Sequence, residues 1–244
     1  MNVLSASFRT LSYSRRCSYP NLNKDYSNSS VENNAEDLSG FINMKNAKPA
    51  HLIGHSYGAF VALYYAYKHP ENVRSLVLIE PYVPSILIAD PQNRLQMLSL
   101  LLRKPSVALA ARNFLTKSLN PALKYLDQGN EEKAVEAFLD GVQGKADAIS
   151  QLTNPVKLMM LNNAGTIKEL TLKPPPFTNK EAKTISVSTL LINGSNTQKP
   201  SLQLQKSFQK ISPKFKSQKF PIQHTFRTLK IQKRLTQQLQ NSFL

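Results

Sequence analysis

Two short apolar runs flank a fully apolar helical pattern in the first third of the chain. Residues 50–54 and 73–79 are almost entirely apolar and too short for a buried helix, so each predicts a strand that is covered on both faces. Residues 59–67, which lie between them, are apolar on every side, and this is typical of a buried helix. Two such strands joined by a helix predict a βαβ unit in a parallel sheet.

Further elements extend this unit in both directions. Residues 8–13 alternate between apolar and polar positions like a strand, and residues 35–46 have the period of an amphipathic helix. In the last quarter of the chain the pattern predicts two strands and two helices, in the order strand 186–192, helix 202–211, strand 216–220 and helix 227–243. We therefore expect the α/β class, with a mainly parallel sheet of about five strands.

A long stretch of helical pattern interrupts the strands. It contains four helical segments that Pro and Gly residues separate, namely residues 95–102, 107–115, 131–139 and 156–161. We therefore expect three parts along the chain: residues 1–83 as the N-terminal part of the core, residues 84–180 as a helical insertion, and residues 181–244 as the C-terminal part of the core.

The composition excludes several classes of protein. A length of 244 residues with 41% hydrophobic residues can supply a large core, and a single cysteine, Cys17, excludes an internal disulfide framework and a multi-cysteine zinc site. No stretch reaches the ~18 uninterrupted apolar residues of a spanning helix, so we expect no transmembrane segment and a cytoplasmic location. Because the first 24 residues carry four basic side chains and no acidic one, a mitochondrial transit peptide is the alternative.

The net charge of +16 is concentrated near the C-terminus. The last acidic residue is Glu181, and eleven Lys and Arg residues follow it. Such a field can attract nucleic acid or an anionic membrane surface. The basic residues are scattered, however, and form no known nucleic-acid motif, so a solvated basic face is favoured and no specific nucleic-acid partner is expected.

The motif Gly54-His55-Ser56-Tyr57-Gly58 stands where the first apolar run meets the apolar helix. A strand that enters Gly54, a serine at the turn and a helix that begins near Gly58 match the setting of a nucleophile elbow. Both glycines are expected to be required by a tight, strained turn. The backbone N–H of Tyr57 would then point toward a developing oxyanion, which makes Ser56 the candidate nucleophile.

Residues 50–81 resemble the nucleophile region of the α/β-hydrolase fold family. The resemblance rests on His51-Leu52-Ile53-Gly54-His55-Ser56-Tyr57-Gly58-Ala59, on His69-Pro70-Glu71, and on the strand that ends in Glu80-Pro81. It implies that the helical insertion is a cap. It also implies acyl transfer on an ester or thioester, because the family's epoxide hydrolases and haloalkane dehalogenases have Asp in place of Ser56. No metal or organic cofactor is implied.

The resemblance further implies a triad in the chain order Ser, acid, His. His224 is the histidine that follows the cap, and it would be the general base; the alternative is an incidental surface histidine. Many family members carry an acid after the strand that ends here at Gly194, where this chain has none. Glu80 occupies a second place from which the family supplies the acid, and its alternative role is a salt bridge or a cap at the edge of the sheet.

The family's sheet begins with three strands, and a His-Gly segment after the third supplies a second oxyanion donor. The first glycine of this chain is Gly40, so we expect a truncated N-terminus and a sheet that lacks those strands. Either residues 8–13 pair beside the elbow strand or an edge stays open. The expected function is a serine hydrolase of a small carboxylic ester or thioester, with a triad of Ser56, His224 and Glu80 that the truncation impairs. The alternative is a noncatalytic hydrolase-like remnant or binding protein, and the oligomeric state is left open.

Overall fold

A computed structural model describes residues 4–88, 93–194 and 199–220 of the chain. Within these ranges, four parallel strands form one sheet in the order of the sequence: β1 (Ala50–His55), β2 (Val73–Ile79), β3 (Ser188–Gly194) and β4 (Phe215–Phe220). The register pairs His55 with Ile79 and Ile79 with Ile192. The carboxyl ends of β1, β2 and β3 therefore meet at one edge of the sheet.

The helices of the described chain precede, join and follow these strands. Their bounds are α1 (Val31–Met44), α2 (Tyr57–Lys68), α3 (Arg94–Arg103), α4 (Pro105–Phe114), α5 (Asn120–Asp127), α6 (Glu131–Gln143), α7 (Asn154–Asn162), α8 (Asn179–Lys183) and α9 (Lys199–Ile211). The main core lies on one face of the sheet, where Leu76, Leu78 and Leu191 pack with Phe60 of α2 and Phe208 of α9. All five of these side chains are almost fully buried. The predicted α/β class with a parallel sheet is confirmed.

Helix α1 begins four positions before the predicted start at residue 35, at Val31. The side chain of Ser30 accepts a hydrogen bond from the backbone N–H of Asn33 and so caps the helix. Val31, Ala35, Leu38 and Ile42 are the buried apolar residues of this helix and face the core. An N-terminal cap in an Asn- and Ser-rich segment thus starts the helix earlier than the apolar period predicts.

The strand predicted over residues 8–13 is wrong, because that segment has no regular secondary structure. The Phe8 ring packs edge-on against the His51 ring at a centroid distance of 5.8 Å, and the Tyr13 ring stacks on Phe41 of α1 at 4.9 Å. The aromatic side chains thus anchor the segment without a strand ladder. The described sheet has four strands instead of about five, and β1 lies at its edge with Ile53 43% exposed.

Helices α3 to α7 lie between β2 and β3, where the helical insertion was predicted. The four predicted helical segments correspond to α3, α4, α6 and α7. Helix α5 was not predicted; it follows α4 without a break through a π-helical stretch at Leu115–Leu119, and Pro121 lies near its start. The insertion contains apolar clusters of its own, one of which joins Val135, Leu139 and Ile149. In the ranges described, no helix has both the length and the apolar character needed to cross a membrane.

Candidate active site

Ser56 occupies the turn between β1 and α2, as the motif predicts. Its φ of 51° and ψ of −117° are unusual for a residue with a side chain and cost about 1–3 kcal/mol. The turn is held by the Ser56 N–H, which donates to the Ile79 carbonyl at 2.9 Å, and by the Ser56 carbonyl, which accepts from the Tyr82 N–H at 3.3 Å. The Ser56 side chain makes no capping hydrogen bond to α2. Its hydroxyl is therefore not used to hold the helix.

The two glycines of the motif differ in how strongly the turn requires them. A Cβ atom on Gly54 would lie 2.5 Å from the Gly58 carbonyl oxygen and 2.6 Å from the Cα of Ala59, so β1 and α2 approach too closely for any side chain there. A Cβ atom on Gly58 would meet nothing within 4 Å. The expectation that the turn requires both glycines is therefore corrected: close packing explains Gly54 and leaves Gly58 unexplained.

Tyr57 is the first residue of α2, directly after Ser56. A backbone N–H in the first turn of a helix has no partner inside that helix, and the helix dipole adds a partial positive charge there. The Tyr57 hydroxyl donates to the Ser29 carbonyl at 2.9 Å, and this hydrogen bond fixes the position of the side chain. Burial and the nearby Glu169 carboxylate raise the pKa of the Tyr57 phenol, so the side chain stays neutral.

Glu80 directly follows β2 and has a positive φ of 44°, so the backbone at the carboxyl end of this strand is strained. Its N–H donates to the Ile192 carbonyl at 2.8 Å, and its Oε1 accepts from the Gly194 N–H at 3.3 Å. Its Oε2 lies 3.8 Å from Nε2 of His55, whose side chain is 48% exposed. The structure thus brings Glu80, His55 and Ser56 to one edge of the sheet. His224 lies outside the described residues, so its pairing with Glu80 stays a prediction.

A pocket opens beside the elbow. Its volume is about 280 Å³, close to the lower end of the range of small-molecule sites. One side consists of the elbow and of Arg15 from the loop that precedes α1. The other side consists of Phe138 of α6 and of residues from the 3-10 helical stretch Ala164–Thr171 that follows α7. The lining residues are Arg15, His55, Ser56, Tyr57, Gly58, Phe138, Thr166, Ile167, Glu169 and Leu170.

A model of the alpha/beta hydrolase fold matches residues 7–226, which is most of the chain. The chain belongs to the α/β-hydrolase fold family. The match begins in the N-terminal loop and extends beyond β4, so the resemblance seen at residues 50–81 reaches far beyond the elbow. In the part of the chain that the structure describes, no three His, Cys, Asp or Glu side chains are grouped as metal ligands.

Other members of the α/β-hydrolase fold family are similar in structure at low identity. A crystal structure from work on carboxylesterases of Nitrososphaera gargenis has a TM-score of 0.60 and 15% identity, with 90% of this chain and 73% of that chain covered. An esterase from Exiguobacterium antarcticum has a TM-score of 0.58 and 16% identity, with 91% and 75% covered. Identities of this size show a shared fold.

One relative is similar in sequence. The protein named "Putative carbamate hydrolase RutD" from Pantoea ananatis is 31% identical over 77 residues. The matched part is 32% of this α/β-hydrolase chain and spans only 28% of that relative.

A polar network beside Ser56 in this α/β hydrolase was not predicted from the sequence. Arg15 forms an ion pair with Glu169, which is only 2% exposed, and the Arg15 guanidinium lies 4.9 Å from the centre of the Tyr57 ring. The Ser29 hydroxyl donates to Oε1 of Glu169 at 2.6 Å. A local signal exists for Arg15, because Tyr13-Ser14-Arg15-Arg16 stands where other family members have an Asp-x-Arg-Gly loop. Glu169 lies 154 positions away in a helical stretch with no motif.

A histidine and a serine are in contact at the end of the sheet opposite to Ser56. Nδ1 of His51 lies 2.6 Å from Oγ of Ser75, which is fully buried. Burial, and secondarily the charge of Arg74, lower the pKa of His51. A buried serine offers no access to a substrate, so this pair belongs to the packing of β1 on β2 and provides a comparison for Ser56.

Proposed function

We propose that this α/β hydrolase is a serine hydrolase that cleaves a small carboxylic ester or thioester, with Ser56 as its nucleophile. The observation that carries the proposal is the backbone of Ser56, which is held at a positive φ between strand β1 and an apolar helix and lines a pocket. Strain of this kind is maintained only where the surrounding structure enforces it, and it is common at catalytic residues.

In the proposed reaction, Oγ of Ser56 attacks the carbonyl carbon of the ester and gives up its proton to a general base. The charge on the carbonyl oxygen is stabilised by the N–H of Tyr57 at the start of α2. Collapse of this intermediate expels the alcohol or thiol, which receives the proton from the base. Water, activated by the same base, then releases the acid from Ser56.

The base in this proposal is His224 and the acid is Glu80. Glu80 is suited to the role because its position at the end of β2 and its hydrogen bond from Gly194 hold the carboxylate at the edge that carries Ser56. A carboxylate there can accept the Nδ1 proton of a histidine, fix its tautomer and stabilise the imidazolium. The choice of His224 rests on the chain order that the family resemblance implies.

The choice of a small ester is supported by the size of the pocket and by its walls. The helical insertion contributes Phe138, Ile167 and Leu170, which suit an apolar group. We propose on this ground that the insertion acts as a cap over the substrate. The esterases of similar fold support ester hydrolysis as the reaction class, at identities that do not specify a substrate.

A fluorophosphonate probe tests the proposal, because it reacts with activated serines. The full chain and a Ser75→Ala variant are expected to be labelled, whereas Ser56→Ala is not. Ser75→Ala is the matched control because it removes a buried serine that contacts a histidine, His51. If the folded wild-type chain remains unlabelled, the noncatalytic alternative is correct; equal labelling of Ser56→Ala would instead remove Ser56 as the nucleophile.

A further inference from the structure

The pocket beside Ser56 is lined by two charged side chains that the proposed mechanism does not use, Arg15 and its ion-pair partner Glu169. The Arg15 side chain is 22% exposed and lines the pocket together with apolar residues of the helical insertion. Its pairing with Glu169 offsets part of the cost of desolvating the cation, so the question is what its remaining N–H donors bind.

Among the residues that the structure describes, Arg15 uses few of its hydrogen-bond donors. A guanidinium carries five N–H donors, and among the described residues its side chain donates to Glu169 through Nη1. Its Cζ lies over the Tyr57 ring, 4.9 Å from the ring centroid, and this contact limits the movement of the group. The remaining donors are thus held in position beside the residue that follows Ser56.

Glu169 is the partner that fixes this arrangement. Its side chain is 1% exposed, and its other carboxylate oxygen accepts from Ser29 at 2.6 Å. A ligand in the pocket therefore meets the guanidinium more readily than the carboxylate. Glu169 is the one acidic residue among those that line the pocket in the described chain, so no second carboxylate there would repel an anion.

We propose that Arg15 is a specificity-determining residue that binds a carboxylate on the substrate, with Glu169 as the residue that positions it. Carboxylates match the planar fork of a guanidinium and are bound by it through two hydrogen bonds. A pocket of about 280 Å³ limits the ligand to a small molecule. The preferred substrates are therefore half-esters of short dicarboxylic acids. This inference deepens the proposed function and rests on it.

Binding to a Ser56→Ala chain tests the inference without requiring turnover. The ligands are monomethyl glutarate and methyl pentanoate, which have acyl chains of equal length and differ in the terminal carboxylate. We expect the half-ester to bind at least about tenfold more tightly. Equal affinity for the two esters would overturn the proposal, whichever further variants fold.

Two further variants assign the preference to Arg15. In the Ser56→Ala background, Arg15→Met combined with Glu169→Gln removes both charges, so no buried carboxylate is left unpaired. The preference is expected to fall below about twofold. Arg16→Met with Asp37→Asn removes the neighbouring ion pair, which lies outside the pocket lining, and the tenfold preference should remain.

The outcomes separate this inference from the proposed function. A preference that survives in the Arg15 and Glu169 variant overturns the role of Arg15. If that variant does not fold, Arg15→Lys replaces it, because lysine keeps the charge and loses the planar fork; an undiminished preference then overturns the proposal. Failure of the fluorophosphonate probe would remove the hydrolase function and leave the carboxylate preference measurable by binding.

Discussion

Oε2 of Glu80 lies 3.8 Å from Nε2 of His55, the residue directly before Ser56. The parallel register explains this contact, because His55 pairs with Ile79 and Glu80 follows at once. The hydrogen bond from Gly194 to the other carboxylate oxygen holds the side chain between two strand ends. Glu80 is thus fixed near the candidate nucleophile and can orient an imidazole at this edge.

Glu80→Gln is expected to lower kcat at least about tenfold, which corresponds to about 1.4 kcal/mol in the barrier. The amide keeps the size of the side chain and cannot stabilise an imidazolium, so KM should change little. Steady-state hydrolysis of a short p-nitrophenyl ester measures both constants. Glu71→Gln, whose carboxylate lies 3.9 Å from His69 on the surface, is the control. An unchanged kcat in Glu80→Gln would remove this residue from the mechanism.

The histidine that serves as the base can be identified by two substitutions. His224→Ala is expected to lower kcat by about 10²–10⁴-fold, the usual contribution of a general base. His55→Ala is expected to lower kcat less than tenfold. In the proposed mechanism His55 contacts Glu80 and takes no proton from Ser56. The same ester assay, extended over pH, measures both variants. The reverse order of the two losses would assign the base to His55.

The strands and the elbow were predictable because each depends on local sequence. Runs of apolar residues specify buried strands, and a glycine packed against α2 specifies the turn at Gly54. The segment 8–13 was mispredicted because alternation also arises when side chains such as Phe8 pack on a neighbouring ring. The contact of Arg15 with Glu169 spans 154 positions and follows from tertiary packing, which no local pattern encodes.

Gly54→Ala and Gly58→Ala form a matched pair for the packing of the elbow. A methyl group on Gly54 would lie 2.5 Å from the Gly58 carbonyl oxygen, so β1 and α2 must separate, at a cost of about 1–3 kcal/mol in the free energy of unfolding. A methyl group on Gly58 meets open space, and alanine favours the helix, so stability should be unchanged or slightly higher. Urea denaturation measures both. Equal destabilisation by the two substitutions would contradict the close approach at Gly54.

The lowered pKa of His51 predicts a pH-dependent stability. Because the folded state binds the proton of His51 less tightly than the unfolded state, stability is lost as pH falls below the ordinary histidine value of about 6.5 and is regained as pH rises. His51→Gln should flatten the dependence of the free energy of unfolding on pH between about 5 and 7. Urea denaturation at a series of pH values tests this. An identical slope in the variant would show that His51 does not contribute.

Removing one charge of the Arg15–Glu169 ion pair should lower the free energy of unfolding more than removing both charges. Arg15→Met leaves the Glu169 carboxylate buried at 2% exposure with Ser29 as its remaining described partner, and an unpaired buried charge costs about 3–5 kcal/mol. Replacing both residues, as Arg15→Met with Glu169→Gln, removes the charge and should cost less than Arg15→Met alone.

Urea denaturation of the single and double variants measures the difference, with Lys157→Met as a control for a pair whose acid, Glu132, is exposed. The control should leave the midpoint unchanged. A double variant less stable than Arg15→Met would mean that the polar contacts of Glu169, with Ser29 above all, hold the helical insertion to the N-terminal loop more than the charge of Arg15 does.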